Sequence, residues 1–105
     1  MTGEFVKVAS TSDIPEGKMK LVQLGSNQVC IAHAAGKYSA IGDTCTHVGG
    51  PLHQGVLKDS VVTCPWHGSQ FDVRTGEVKR GPARVPEPVY EVKLEGSTIM
   101  LRQKQ

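Results

Sequence analysis

The chain has 105 residues, enough for one hydrophobic core, with 38% hydrophobic and 5% aromatic side chains and a formal charge of +2. Its longest apolar run, residues 29–32, is far too short to cross a bilayer, and Met1-Thr2-Gly3-Glu4-Phe5 carries neither the basic head nor the apolar stretch of a secretory leader, so cytoplasmic residence is the expectation. Lys and Arg are scattered rather than clustered, which argues against nucleic acid as a partner, and three Cys are too few for a disulfide-stapled scaffold.

Twelve Gly and six Pro imply many turns, and no window keeps an apolar 3.6-residue period long enough for a helix. Period-two runs rich in β-branched residues predict ten short strands instead. In chain order they are Phe5–Ala9, Lys18–Leu24, Gln28–His33, Lys37–Ile41, Val56–Leu57, Val61–Thr63, Gln70–Asp72, Glu77–Lys79, Tyr90–Leu94 and Thr98–Arg102. Asp13-Ile14-Pro15-Glu16-Gly17 reads as a turn, or at most one helical turn. Gly25-Ser26-Asn27, Ala35-Gly36, Lys58-Asp59-Ser60, Thr75-Gly76 and Glu95-Gly96-Ser97 are each short enough to close a hairpin. Three stretches break the alternation: 43–55, 64–69 and the proline-rich 81–88. Loops held on a rigid β scaffold are where chemistry usually sits.

Two of those loops carry thiol and imidazole together. Cys45-Thr46-His47 lies in the first and Cys64-Pro65-Trp66-His67 in the second, separated by sixteen residues, 48–63. Three arrangements account for a Cys₂His₂ set. In the first, Cys45 and Cys64 are ordinary buried cysteines and the histidines lie at the surface. In the second, the four residues hold a structural zinc, although such sites usually place both Cys in one motif and both His in the other. In the third they hold a 2Fe–2S cluster, with both Cys on one iron and both His on the other. A diamond-shaped cluster gripped between two loops touches each loop with both irons, so each loop supplies one ligand of each kind. A single tetrahedral zinc imposes no such division. Of the remaining candidates, His53 reads as a loop residue near the site, His33 as a surface histidine and Cys30 as a core thiol within its strand.

Cys45-Thr46-His47, the sixteen-residue gap and Cys64-Pro65-Trp66-His67-Gly68 resemble the Rieske iron–sulfur signature. Gly49-Gly50-Pro51-Leu52, Phe71-Asp72, Thr75-Gly76 and Gly81-Pro82-Ala83 extend the likeness, and Asp13–Gly17 is similar to an early feature of small soluble Rieske ferredoxins. The resemblance implies an all-β fold, an antiparallel β-sandwich spanning 1–105 with a small cluster-binding subdomain at about Asp43 to Ala83. It implies one 2Fe–2S cluster held by Cys45, His47, Cys64 and His67, surrounded by Val48, Gly50, Trp66, Ser69, Phe71 and Pro82. Gly50 and Trp66 stand where high-potential relatives carry a disulfide, and Phe71 stands where they carry a Tyr. Ser69 matches their sulfide-facing Ser. One donor kept and one lost, with no disulfide, points to the lower or middle part of the roughly −150 to +300 mV Rieske window. Histidine ligation also implies a potential that falls with pH on the alkaline side.

No serine triad, phosphate loop or dinucleotide fingerprint accompanies these loops, and 105 residues leave no room for a second, catalytic iron domain. The expected function is therefore a monomeric one-electron carrier, passing electrons from a reductase to an oxygenase or other acceptor through transient contacts, below about 1,200 Å² in total. Arg74, Lys79, Arg80 and Arg84 give the approach to the third loop a local positive excess, read first as scattered solvated charges and second as a patch that steers an acidic partner. Two alternatives remain: a small Rieske-like subunit of a nitrite reductase-type complex, and the structural zinc module.

Overall fold

The computed structural model describes residues 4–46, 49–66 and 68–103. Among these residues ten strands follow one another, with two single 3-10 turns. They are β1 (Val6–Ser10), β2 (Met19–Leu24), β3 (Asn27–Ala34), β4 (Lys37–Gly42), β5 (Val56–Lys58), β6 (Val61–Thr63), β7 (Gln70–Asp72), β8 (Val78–Arg80), β9 (Val89–Glu95) and β10 (Thr98–Gln103). Each predicted strand is present, with ends displaced by no more than a residue or so. One 3-10 turn, Thr11–Asp13, begins slightly before the expected turn at Asp13, and Asp13 accepts the Ser10 N–H at 3.0 Å. The other, Leu52–Gln54, was not expected.

Six strands form an antiparallel sheet in the order β1-β10-β9-β4-β3-β2, whose two edges approach each other so that it curls into a nearly closed barrel. Tight turns set its register. Leu24 pairs with Asn27, Ala34 with Lys37 and Glu95 with Thr98, so each connection is a two-residue hairpin. At the middle one both residues are left-handed, Ala35 at φ 55° and Gly36 at φ 74°, the twist that such a hairpin needs. The other four strands make a smaller sheet in the order β5-β6-β7-β8.

Strand β3 explains how the two sheets share a core. It is buried on both faces, so its alternation divides inward-pointing side chains between two clusters. Val29 and Ile31 join Ile14, Ala40, Ile99 and Leu101 inside the barrel. Cys30 and Ala32 join Ile41, Leu52, Val62, Phe71 and Val73 between the barrel and the small sheet. Cys45 and Cys64 belong to that second cluster.

Topology places the small sheet as an excursion. β4 and β9 are neighbours, pairing Ala40 with Tyr90 and Ile41 with Val89, and Gly42 N–H donates to Pro88 O at 2.9 Å. Everything from 43 to 88 leaves the barrel at one point and returns to it beside that point.

Candidate metal centre

Each candidate thiol sits where an antiparallel ladder runs out. In the first loop the ladder continues past β4: Leu52 N–H donates to Asp43 O at 2.8 Å, Thr44 bridges Pro51, and Cys45 N–H donates to Gly50 O at 2.8 Å. Gly49 N–H then turns back onto Cys45 O at 2.9 Å. In the second loop Thr63 pairs with Gln70 in the β6–β7 hairpin and Cys64 N–H donates to Ser69 O at 2.7 Å. Gly68 N–H turns back onto Cys64 O at 3.2 Å. The two closures are the same: cysteine at the first position, a backbone bond to the sixth, and a return bond from the fifth. The fifth residue is left-handed in both, Gly49 at φ 81° and Gly68 at φ 78°, which a residue with a β-carbon adopts only with strain.

The two loops face each other. A β-carbon on Gly50 would stand 2.7 Å from Cys64 Sγ and 3.1 Å from Trp66 Cδ2, so a bare Cα at 50 is what leaves space at the second thiol. Cys45 and Cys64 are each 2% exposed, whereas Trp66, two residues on, is 57% exposed. His47, Val48 and His67 lie outside the described residues. The described part of the donor set is thus two buried thiols presented by twin loops across a common space, which fits a thiolate-held metal group on that side. Among the described residues no group of three or more His, Cys, Asp or Glu is drawn together as a metal site.

The third loop, 81–88, is fastened to both. Ala83 N–H donates to Ser69 Oγ at 3.0 Å, so the buried Ser69 hydroxyl accepts there and keeps its own proton for a second partner. Thr46 Oγ1–H donates to Val85 O, and Thr46 N–H to the Glu87 carboxylate. Phe71 is fully buried beneath the site, while Pro82 is exposed beside it.

Buried polar groups around the first loop were not legible as functional residues in the sequence. Asp43 is 2% exposed and Glu87 4%. Asp43 takes both hydrogen bonds from His53, the backbone N–H on Oδ1 at 2.8 Å and Nδ1–H on Oδ2 at 2.9 Å. His53 is therefore anchored beside the site rather than loose in its loop. Burial, and then the charge of Asp43, push the Glu87 carboxyl up to about 8, against the lowering effect of the Thr46 N–H. Among the described residues its Oε2 has no hydrogen-bond partner. Burial first, then Asp43 and Glu87, also hold the Cys30 thiol far above the usual thiol range, so Cys30 is an inert core residue.

Two sequence expectations change. His33 is no surface histidine: its ring stacks on Tyr38 at 4.0 Å and its Nδ1–H donates to Ile14 O at 2.8 Å, because the strand end on which it sits folds under the 11–17 segment. Of the four basic residues, Arg74 is tied to Asp72 at 3.0 Å and Lys79 to Glu77 at 3.1 Å, so the local positive excess is smaller than the sequence implies.

The family described as Rieske [2Fe-2S] domain matches residues 4–96. The ferredoxin component of biphenyl 2,3-dioxygenase from Rhodococcus jostii is 37% identical, over 92% of this chain and 91% of its own. Apoptosis-inducing factor 3 of Mus musculus is 35% identical over 90% of this chain, which spans only 16% of that protein. Among solved structures, a chain from the complex of reduced oxygenase and oxidized ferredoxin in carbazole 1,9a-dioxygenase superposes with a TM-score of 0.90 at 31% identity, covering 96% of both chains.

Proposed function

The chain belongs to the Rieske [2Fe-2S] domain family, and from that premise we propose that it is a one-electron carrier, taking electrons from a reductase and passing them to an oxygenase or comparable terminal acceptor. The observation that carries this reading is the pair of identical cysteine closures facing each other across Gly50. Relatives of the same length serve as ferredoxin components of dioxygenase systems, which supports the same role here.

Cys45 and Cys64 would hold one iron of a 2Fe–2S cluster, and His47 and His67 the other. A cluster bound in this way supplies a reversible one-electron couple. The chain does the rest. Residues 43–83 act as the cluster-binding subdomain of a single domain, with the barrel as its base. Leu52, Val62, Phe71 and Val73 exclude water from behind the thiolates. Ser69 has a hydroxyl proton to give toward a cluster sulfur, and Phe71 at the floor has none, which favours the lower or middle part of the potential window. Gly50, Trp66 and Pro82 line the side on which a partner approaches; Val48, the fourth residue expected there, lies outside the described residues. The carrier is a cytoplasmic monomer that meets its partners transiently.

Aerobic or anaerobic purification should yield a coloured protein with two irons and two acid-labile sulfides per chain. Reduction should produce an EPR-active state, and a partner reductase should bleach the colour. Cys45→Ser and Cys64→Ser should abolish the colour. A colourless, zinc-loaded protein unchanged by dithionite would overturn the proposal.

A further inference from the structure

We propose that Asp43 and His53 together set the reduction potential of the centre, Asp43 as a buried negative charge behind the Cys45 loop and His53 as the side chain that attenuates it. The inference rests on Cys45 being a cluster ligand, as argued above.

Asp43 lies two residues before Cys45 and is almost completely buried. Its backbone is fixed on both sides, N–H to Gln28 O at 3.0 Å and carbonyl to Leu52 N–H at 2.8 Å, so the carboxylate has one orientation. Both of its oxygens are turned to a single residue, His53. Among the described residues, the titratable groups that face it are His53 from the Leu52–Gln54 turn, Cys30 from β3 and Glu87 from the third loop. Its charge is felt inward, for it opposes ionisation of Cys30 and Glu87.

A carboxylate fixed near a redox group resists the arrival of an electron, and in a dry setting that effect is poorly screened. A donor on the carboxylate draws its charge away from the centre. His53, whose side chain is 23% exposed, connects the buried anion to solvent and is placed to do this. The backbone N–H of residue 53 donates to Oδ1 whatever its side chain, so Oδ1 keeps its donor when the imidazole is removed. A pair that served only to pin the 3-10 turn would alter stability and leave the potential alone.

The test is potentiometric titration of the holoprotein and its variants, with iron and sulfide measured on each. Asp43→Asn should raise the midpoint, shifting the reduced-to-oxidised ratio at a fixed dye poise by roughly tenfold, which is about 59 mV for one electron. His53→Leu should shift it the opposite way. His53→Gln, which can return an amide N–H to Oδ2, should restore most of the parent value. In the Asp43→Asn background, His53→Leu should lose most of its effect. Should Asp43→Asn take up no cluster, the contrast between Leu and Gln at 53 decides alone. Normal iron and sulfide with an unmoved midpoint in the His53 variants overturns the inference. Additive shifts in the double variant overturn it as well. A parent protein without iron or sulfide instead overturns the ligand assignment on which it rests.

Discussion

A hydrogen atom is all that Gly50 can carry toward the second loop. Gly50→Ala would drive a methyl group into the 2.7 Å space before Cys64 Sγ, and on the proposed ligation the thiol has no freedom to retreat. Crowding of this kind costs about 1–3 kcal/mol in a packed interior. Here it should fall on the cluster rather than on the barrel, so iron content should drop while far-UV circular dichroism stays that of the parent. Equal iron content in both would show that the loops have slack. Cys30→Ala should behave in the opposite way, keeping its visible spectrum, because Cys30 is a protonated core thiol in the wall between the two clusters. Glu87 predicts a pH effect. Its carboxyl titrates at about 8 in the folded protein against 4.5 for a free side chain. Below 4.5 both states hold the proton. Between 4.5 and about 8 the unfolded chain releases it and the folded chain does not, so stability falls as pH rises, and above 8 this contribution is constant. Glu87→Gln has no proton to release. Its urea midpoint should gain on the parent steadily from pH 5 to pH 8, and a constant difference would refute the assignment.

At the scale of elements, the β7–β8 hairpin shows how the smaller sheet is locked to the loop above it. Gly76 N–H donates to Asp72 O at 2.7 Å, and Glu87 N–H donates to Gly76 O at 2.8 Å. Gly76 is left-handed at φ 76°, and a β-carbon there would collide with the Glu87 carbonyl. Gly76→Ala should therefore cost about 2–4 kcal/mol, strain and collision together, measured as a loss of urea stability. The same region shows what a sequence reveals and what it hides. Strands were legible because period-two burial and two-residue turns are local facts: Ala35-Gly36 and Gly96-Ser97 declare their hairpins without help from the rest of the chain. The twin thiols were legible because ligand chemistry restricts residue type. Asp43 and Glu87 were not, since nothing in Gly42-Asp43-Thr44 or Pro86-Glu87-Pro88 distinguishes a buried acid from a solvated one, and His53 was legible as a neighbour of the site but not as the partner of Asp43. Their burial depends on the third loop folding back across the first, a contact between segments some forty residues apart. The Leu52–Gln54 turn was missed for a similar reason: it forms around Leu52, whose burial is tertiary.

At the scale of the molecule, the excursion from β4 to β9 carries the two cysteine loops out from the barrel and back to it beside the same point. Two of the exposed large apolar side chains, Trp66 at 57% and Val85 at 59%, lie on the second and third loops, and Pro82 and Pro86 are exposed near them. An apolar rim around a redox centre suits brief encounters, which need desolvation at the point of contact but little buried area. Charge has less to contribute. Arg74 and Lys79 are paired within the chain, and the formal charge is only +2. The rate of reduction by a partner reductase should accordingly change by less than about threefold between 50 and 200 mM salt, as screening removes little that was there. Val85→Asp tests the rim directly. Val85 engages Thr46 through its backbone carbonyl, so the substitution leaves that tie in place and adds only a charge to the surface. Midpoint potential and iron content should match the parent while the second-order rate falls by roughly tenfold, the cost of desolvating one carboxylate against an apolar partner. An unaltered rate would mean that partners land on another face of the molecule.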